Sequence, residues 1–181
     1  MELYHVSGRE YKIGDIINKI EISKFLNREI EGVFTKDEYN EIISQQYKNG
    51  FSNHGFKFNI PEYEFQQRYF IDNNIPLEII YEQIRKQNYA DKPSRFESIF
   101  TCDSIENAKL FLKSYPEKKI KIYKIQAERF FKADMKLLSV GFRPIDIFIL
   151  AHKYWQGKSS DDPFWEYIVE LPVKIIEECN Q

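Results

Sequence analysis

The stretch "FWEYIVELPVKIIE" near the end of the chain has the pattern of a strand and carries a glutamate, Glu166, directly behind a tryptophan. Side chains alternate along a strand, so Glu166 and Ile168 share one face while Trp165 and Tyr167 share the other. Both faces are largely apolar, which predicts a strand that is covered on each side. A buried carboxylate is costly unless it is paired. Glu166 therefore either contacts water at the exposed beginning of the strand or is a carboxylate in a cleft.

A histidine, His5, lies in the other strand-like segment that could carry chemistry, "ELYHVS". Its ring is either satisfied by backbone groups on a half-buried strand or belongs to a site. The other two histidines are His54, in a glycine-flanked loop, and His152, on an apolar helix. Neither belongs to an H-x-x-x-H or C-x-x-C pattern, so the sequence predicts no metal site.

The cysteines and the common catalytic motifs narrow the function classes further. Cys102 and Cys179 are too far apart to form a metal pair and too few for a disulfide framework, which favours a reducing cytoplasm. The chain has no G-x-S-x-G elbow, no G-x-G-x-x-G and no Walker loop. The motifs therefore favour neither a hydrolase triad nor a known phosphate cradle.

Composition indicates a globular protein with one domain. The 181 residues are 43% hydrophobic and 16% aromatic, which is enough material for one ordinary core. Basic and acidic residues are interleaved around a net charge of −2, so a surface that tracks nucleic-acid phosphates is not expected. The segment "MELYHVSGRE" lacks the apolar run of a signal peptide, and no stretch has the length of a membrane span. We expect a cytoplasmic protein without a membrane partner.

The middle of the chain has helical patterns. Thr35 and Glu38 form a capping box at the start of "TKDEYNEIISQQYKNG", which predicts a helix that ends before Gly50. Two further helices are predicted around "PEYEFQQRYFI" and "PLEIIYEQIRKQN", each opened by a proline. Residues 35–90 are therefore predicted to form a helical insertion.

Strands and helices alternate after this block. "RFESIFTC" is predicted to be a strand with Phe100 and Cys102 on one face, followed by a helix over "DSIENAKLFLKSY" that Asp103 and Glu106 cap. "KKIKIYKIQA" predicts another strand and "RPIDIFILAHKYWQG" a helix that ends at Gly157. "FWEYIVELPVKIIE" is predicted to be one long final strand. The fold class is α+β.

Four motifs in this order carry a family resemblance. "LYHVS" sets His5, Val6 and Ser7 where one family has a pattern like Tyr-His-Gly-Thr on its first strand. "SIFTCDSIENAKLF" places Phe100 and Phe111 at two aromatic positions. A strand such as "IKIYKIQA" follows, and "WEYIVELPV" carries a glutamate at the catalytic position. Together they resemble the ADP-ribosyltransferase fold of the His-Tyr-Glu type, shared by poly(ADP-ribose) polymerases, diphtheria-type toxins and the rifampin-modifying enzyme.

The resemblance implies NAD as a substrate and a role for each matching residue. Glu166 would bond the ribose 2′-hydroxyl and stabilise an oxocarbenium-like transition state. His5 would hold the adenosine ribose as a donor, with Val6 and Ser7 beside it, and the rings of Phe100 and Phe111 would sandwich the nicotinamide. Arg95, just before the second strand, would either pair with the pyrophosphate or be an exposed arginine with a local partner.

The same resemblance implies a fold and an arrangement of the site. It implies a single α+β domain over residues 1–181, with a split β-sheet and the helical insertion at about 35–90. His5 and Glu166 are expected to face one cleft between adjacent strands. The insertion is expected to pack beside that cleft and help to select the acceptor.

Departures from the family pattern leave alternatives open. Phe100 stands where the family has tyrosine, Val6 stands where it has glycine, and Phe164 stands where arginine-modifying members have the first glutamate of Glu-x-Glu. The favoured hypothesis is an NAD-dependent ADP-ribosyltransferase whose acceptor, a protein, a nucleic acid or a small molecule, is not arginine. The alternatives are an inactive relative that binds a nucleotide or a protein partner, and an unrelated α+β interaction module.

Overall fold

The computed structural model describes residues 1–59, 74–113, 120–139, 141 and 143–179. Seven strands occur in these ranges: β1 (Glu2–Ser7), β2 (Ile16–Ile17), β3 (Ser98–Cys102), β4 (Lys121–Gln126), β5 (Phe130–Asp134), β6 (Trp165–Glu170) and β7 (Val173–Cys179). They form one sheet in the order β2-β7-β4-β1-β3-β6-β5, and every neighbouring pair is antiparallel. With the helices, this confirms the α+β class.

Five α-helices occur in the same ranges: α1 (Lys36–Gln46), α2 (Asn53–Asn59), α3 (Asn74–Asn88), α4 (Ile105–Leu112) and α5 (Asp146–Trp155). Helices α1, α2 and α3 follow β2 and precede β3, so the described part of the predicted insertion contains three helices, with turns and a β-bridge between α1 and α2. The helix predicted around residues 61–71 lies outside the described residues. None of the described helices has the length and apolar character needed to cross a membrane.

Helix boundaries that depend on local signals agree with the predictions. Thr35 Oγ1 accepts a hydrogen bond from Glu38 N, and Glu38 Oε2 accepts one from Thr35 N at 2.8 Å, which completes the capping box of α1. Gly157 follows α5 with φ +70°, a left-handed conformation that favours glycine at the end of a helix.

Helices α3 and α5 pack against one face of the sheet. Leu77, Tyr81 and Ile84 form a stripe at helical spacing on α3, and they are buried with Trp155 of α5 and Ile168 of β6. The indole nitrogen of Trp155 also donates to the Tyr81 carbonyl at 2.8 Å. Burying one large apolar side chain contributes about 1.5–3 kcal/mol, so this contact fixes both helices over β6.

The prediction of one long final strand is wrong, because this segment forms two strands that Leu171 and Pro172 separate. Strand β6 pairs with β3 and β5, whereas β7 pairs with β4 and β2 at the other side of the sheet. Proline has no N–H to donate to a ladder, which suits it to the connection between them.

Two other boundaries also differ from the predictions. Arg95–Glu97 forms a 3₁₀ helix rather than the beginning of β3, because Ser94 Oγ accepts from Phe96 N at 3.2 Å and tightens this turn. Ser104, not Asp103 or Glu106, caps α4, since its Oγ accepts from Asn107 N. The patterns also missed α2, β2 and β5.

The sheet opens between β1 and β3. Strand β1 pairs with β4 over six residues, from Glu2 to Ser7, but with β3 over only two pairs, Tyr4 with Cys102 and His5 with Thr101. From Phe100 back to Ser98, β3 pairs with β6 and not with β1. The two strands therefore diverge and leave a cleft.

Candidate functional site

The cleft at the β1–β3 opening has a volume of about 730 Å³. Residues of β1, β3, β6, α2 and α3 line it. All the site residues predicted from the sequence are among them: His5, Val6, Ser7, Arg95, Phe100, Phe111 and Glu166. The structure thus gathers residues from both ends of the chain at one place.

Glu166 is a buried carboxylate on the wall of this cleft, with 3% of its surface exposed. Its Oε1 accepts hydrogen bonds from Arg95 Nη1 at 2.7 Å and from the Tyr154 hydroxyl at 2.6 Å. No described residue hydrogen-bonds its Oε2. The alternative in which Glu166 contacts bulk water is therefore wrong.

Arg95 is also buried, which makes the alternative of an exposed arginine with a local partner wrong. Its Nε and Nη2 donate to the two oxygens of Glu78 at 2.8 and 2.9 Å, and its Nη1 donates to Glu166 and to the Tyr154 hydroxyl. All three guanidinium nitrogens are engaged by these partners. Arg95 therefore positions two carboxylates in this structure, and we do not assign it the predicted pyrophosphate contact.

Burial and charge act against each other in these groups. Burial alone would lower the pKa of Arg95, but the charges of Glu166 and Glu78 outweigh it and hold that pKa well above its usual range. Burial would raise the pKa of Glu78, but Arg95 and His54 lower it below its usual range. Burial raises the pKa of Tyr154, so its hydroxyl remains a neutral donor. Two carboxylates thus share one guanidinium, and the His54 ring lies beside one of them.

His5 lies where the pairing between β1 and β3 ends. Its Nδ1 is 2.9 Å from the Phe100 carbonyl oxygen, which can only accept, so Nδ1 carries the proton. Burial lowers the pKa of His5, partly offset by this hydrogen bond, so the ring is neutral at neutral pH. Nδ1 therefore has a backbone partner, as one alternative for His5 expected. Nε2 can only accept a hydrogen bond, whereas His5 was predicted to donate one to the adenosine ribose.

The topology corrects one expectation about His5 and Glu166. Both line one cleft, but their strands are not adjacent, because β3 lies between β1 and β6. His5 pairs with Thr101 of β3, and Thr101 pairs with Tyr167 of β6. Tyr167 is the chain neighbour of Glu166. Because side chains alternate, His5 and Glu166 project from opposite faces of this ladder. They reach one cleft because the ladder opens there.

The two predicted aromatic residues have different surroundings. The Phe100 ring centroid lies 4.4 Å from the Arg95 guanidinium and 4.7 Å, edge to face, from the His54 ring. Phe100 also packs beside the core around Trp155, so it serves both the core and the cleft wall. Phe111 is half-buried on α4 and lines the cleft.

Val6 and Ser7 have local structural roles on the cleft wall. Val6 packs against a small core cluster that includes Cys102 and Ile122. Ser7 Oγ accepts a hydrogen bond from Arg9 N at 3.1 Å, which shapes the turn after β1.

The sequence interpretation missed three residues that complete the site: Glu78, Tyr154 and His54. With Arg95 and Glu166 they form a connected group that we call the cleft cluster. Glu78 stood next to Leu77 in the apolar stripe of α3, and a carboxylate at that position was a usable signal. Nothing local distinguished the other two.

Three further polar atoms of the cleft wall have no hydrogen-bond partner among the described residues. These are Asn53 Oδ1, His54 Nε2 and Ser98 Oγ, and Ser98 is completely buried. Buried polar groups nearly always have partners, so such atoms in a cleft indicate where a polar ligand or water binds. No three His, Cys, Asp or Glu side chains in the described ranges are grouped so that they could hold a metal ion.

Comparison with known proteins identifies the family. No curated protein matches the chain. The model of one family, described as a protein of unknown function (DUF2441), matches residues 3–181, which is nearly the entire chain. The protein therefore belongs to the DUF2441 family.

Proposed function

We propose that this protein is an NAD-dependent ADP-ribosyltransferase that transfers ADP-ribose to an acceptor other than arginine. The observation that carries the proposal is the state of Glu166. Arg95 and Tyr154 hold its Oε1, while its Oε2 has no partner among the described residues and lies on the cleft wall. A carboxylate held in this way can accept a ribose hydroxyl without reorganising.

The two buried carboxylates of the cleft cluster suit this substrate. The nicotinamide ring of NAD is cationic, and its departure moves positive charge onto the ribose. A fixed, buried carboxylate stabilises that charge more strongly than water does. The cost of burying two carboxylates beside one guanidinium supports a functional role, because strongly perturbed groups cluster at functional sites.

Other residues on the cleft wall suit the remaining parts of NAD. The neutral His5 ring can accept a hydrogen bond from an adenosine ribose hydroxyl at Nε2. Arg9, which also lines the cleft, is the cation that we assign to the pyrophosphate in place of Arg95. A volume of about 730 Å³ lies within the usual range of ligand sites.

The architecture is consistent with the proposed family relationship. The seven strands form one sheet, and the short seam between β1 and β3 is the feature that supports a relationship to the split sheet of that fold. Residues of α2 and α3 line the cleft beside Glu166, so the helical insertion is well placed to select a protein, nucleic acid or small-molecule acceptor.

Two observations favour a second candidate, an inactive relative that binds a nucleotide or a protein partner. His5 and Glu166 project from opposite faces of the ladder, and Arg95 covers part of the Phe100 ring that would stack on nicotinamide. A protein that only binds a ligand needs the cleft, but it does not need side chains arranged to accelerate NAD cleavage.

The test measures nicotinamide release from NAD together with NAD binding by calorimetry. We expect slow release by the wild type without an acceptor, because water can attack the same transition state. Glu166→Gln should lower this rate by about 10²-fold or more while NAD still binds. His5→Ala should instead weaken NAD binding about two- to tenfold, because it removes one hydrogen bond that forms before the reaction.

Glu170→Gln is the matched control, since Glu170 lies on the same strand but does not line the cleft. It should leave the rate unchanged. Wild-type protein that binds NAD and never cleaves it would favour the binding module. Protein that does not bind NAD would contradict both candidates.

A further inference from the structure

His54, to which nothing in the sequence assigns a role, is held over the cleft by a close helix contact. It lies in the first turn of α2, next to Gly55. A Cβ at Gly55 would come within 2.1 Å of the Phe96 carbonyl oxygen, so only glycine lets α2 approach the chain before β3 this closely. That approach sets the His54 ring on the edge of Phe100, where it lines the cleft.

A buried carboxylate lies beside the His54 ring. The ring Nε2 is 3.3 Å from Glu78 Oε1, within ion-pair distance but without the geometry of a hydrogen bond, and Arg95 holds both oxygens of that carboxylate. A carboxylate attracts the N–H side of the ring, which leaves Nδ1 with its lone pair. No described residue hydrogen-bonds Nδ1. A histidine beside a buried carboxylate, with no described partner at the opposite nitrogen, has the arrangement of a general base.

The cleft cluster connects His54 to Glu166, the carboxylate that we propose stabilises the transition state. His54 contacts Glu78, Glu78 binds Arg95, and Arg95 binds Glu166, with every contact at 3.3 Å or less. The His54 side chain retains 22% of its exposure, so an incoming molecule can reach it. The helical insertion thus contributes a basic group on the side of the cleft formed by α2.

We propose that His54 is the general base that deprotonates the acceptor, and that the acceptor group is a hydroxyl. This inference rests on the proposed transferase function. The bond between ribose C1′ and the nicotinamide nitrogen breaks, and its electron pair neutralises the pyridinium. The acceptor oxygen forms a bond to C1′, and its proton passes to His54 Nδ1. The resulting imidazolium is stabilised by Glu78 and later loses the proton to water.

The experiment measures how fast the protein cleaves NAD with each of two nucleophiles, water and azide. With water as the acceptor, His54→Gln and His54→Asn should each release nicotinamide about 10²- to 10⁴-fold more slowly than the wild type. Azide has no proton to lose, so it should restore NAD cleavage in both variants, with ADP-ribosyl azide detected by mass spectrometry. His152→Gln is the matched control, because His152 bonds Tyr89 and does not line the cleft.

The outcomes separate this inference from the proposed function. Nicotinamide release by the wild type together with unchanged rates in both His54 variants would overturn the general base and leave the transferase intact. Slow variants that melt and bind NAD like the wild type, and that azide does not rescue, would also overturn it. A wild type that never cleaves NAD would overturn the transferase, and this inference with it.

Discussion

Helix α3 carries two arginine–glutamate clusters that use the same residue types in different ways. One is the cleft cluster, which Glu78 joins from this helix. The other, which we call the α3 cluster, consists of Glu82, Arg85 and Ser94. Glu82 accepts from Arg85 Nε at 3.0 Å, from Arg85 Nη2 at 2.8 Å and from Ser94 Oγ at 2.9 Å, and Arg85 Nη1 donates to a backbone carbonyl. One cation there meets one carboxylate, and both carboxylate oxygens are bonded.

The cleft cluster has the opposite features. One guanidinium serves two carboxylates, Glu166 Oε2 has no partner among the described residues, and Ser98 Oγ is buried nearby on the cleft wall without one. Both clusters are buried, so burial of charge does not distinguish a site from a structural ion pair. The distinction is the set of donors and acceptors that remain unused, and α3 brings a saturated cluster and an open one onto the same helix.

The largest expected effect comes from removing the arginine of each cluster. Arg95→Met should lower the free energy of unfolding by about 5 kcal/mol, because it leaves two buried carboxylates without their cation. Arg85→Met should cost less, about 3 kcal/mol, because Glu82 keeps the Ser94 hydroxyl. Urea unfolding at neutral pH measures both, and equal losses would contradict the difference that we expect between a guanidinium shared by two carboxylates and one paired with a single carboxylate.

Acid should weaken the cleft cluster through Glu78. Its pKa is lower in the folded protein than the usual 4.5, so its ion pair contributes stability above that pH and loses it as the pH falls toward the folded value. Glu78→Gln should therefore be destabilised by about 1.5–3 kcal/mol at neutral pH, and the difference from the wild type should shrink below about pH 4.5.

Urea unfolding of both proteins between about pH 3 and about pH 7 checks this prediction, because that range includes the usual pKa of a glutamate. Other acidic groups, such as Asp134, titrate in both proteins and cancel in the difference. A difference that does not change with pH would contradict the assignment.

The smallest expected effect on the free energy of unfolding distinguishes Ser94, which is hydrogen-bonded, from Ser98, which has no described partner. Ser94→Ala should lower the free energy of unfolding by about 0.5–1.5 kcal/mol, because Glu82 Oε1 and the Phe96 N–H lose a partner. Ser98→Ala should leave stability nearly unchanged, because the Ser98 hydroxyl has no described partner to lose, and it should weaken NAD binding in calorimetry. Thermal unfolding of the pair tests the contrast, and a Ser98→Ala loss as large as that of Ser94→Ala would contradict it.

Local patterns were sufficient for several helices. The capping box of α1 joins residues three positions apart and was predicted, and α3 was predicted from the proline near its beginning. The alternation in "RFESIFTC" suggested a strand from its first residues, but Ser94 and the contact of Ser52 N with the Phe96 carbonyl hold Arg95–Glu97 as a 3₁₀ helix. A competing local cap and a distant backbone contact outweighed the pattern.

The sequence by itself determined that Glu166 lies on a strand with apolar neighbours on both faces and that His5 lies on another strand. It also determined most of the helices, because capping and amphipathic periodicity are local properties. Only the tertiary structure decided that Arg95, 71 positions away, holds Glu166, and that Glu78 and Tyr154 complete the cluster. The physical reason is that a buried charge selects partners by distance in space. Strand order, the short seam of β1 with β3 and the packing of α3 on α5 set those distances, and no local pattern encodes them.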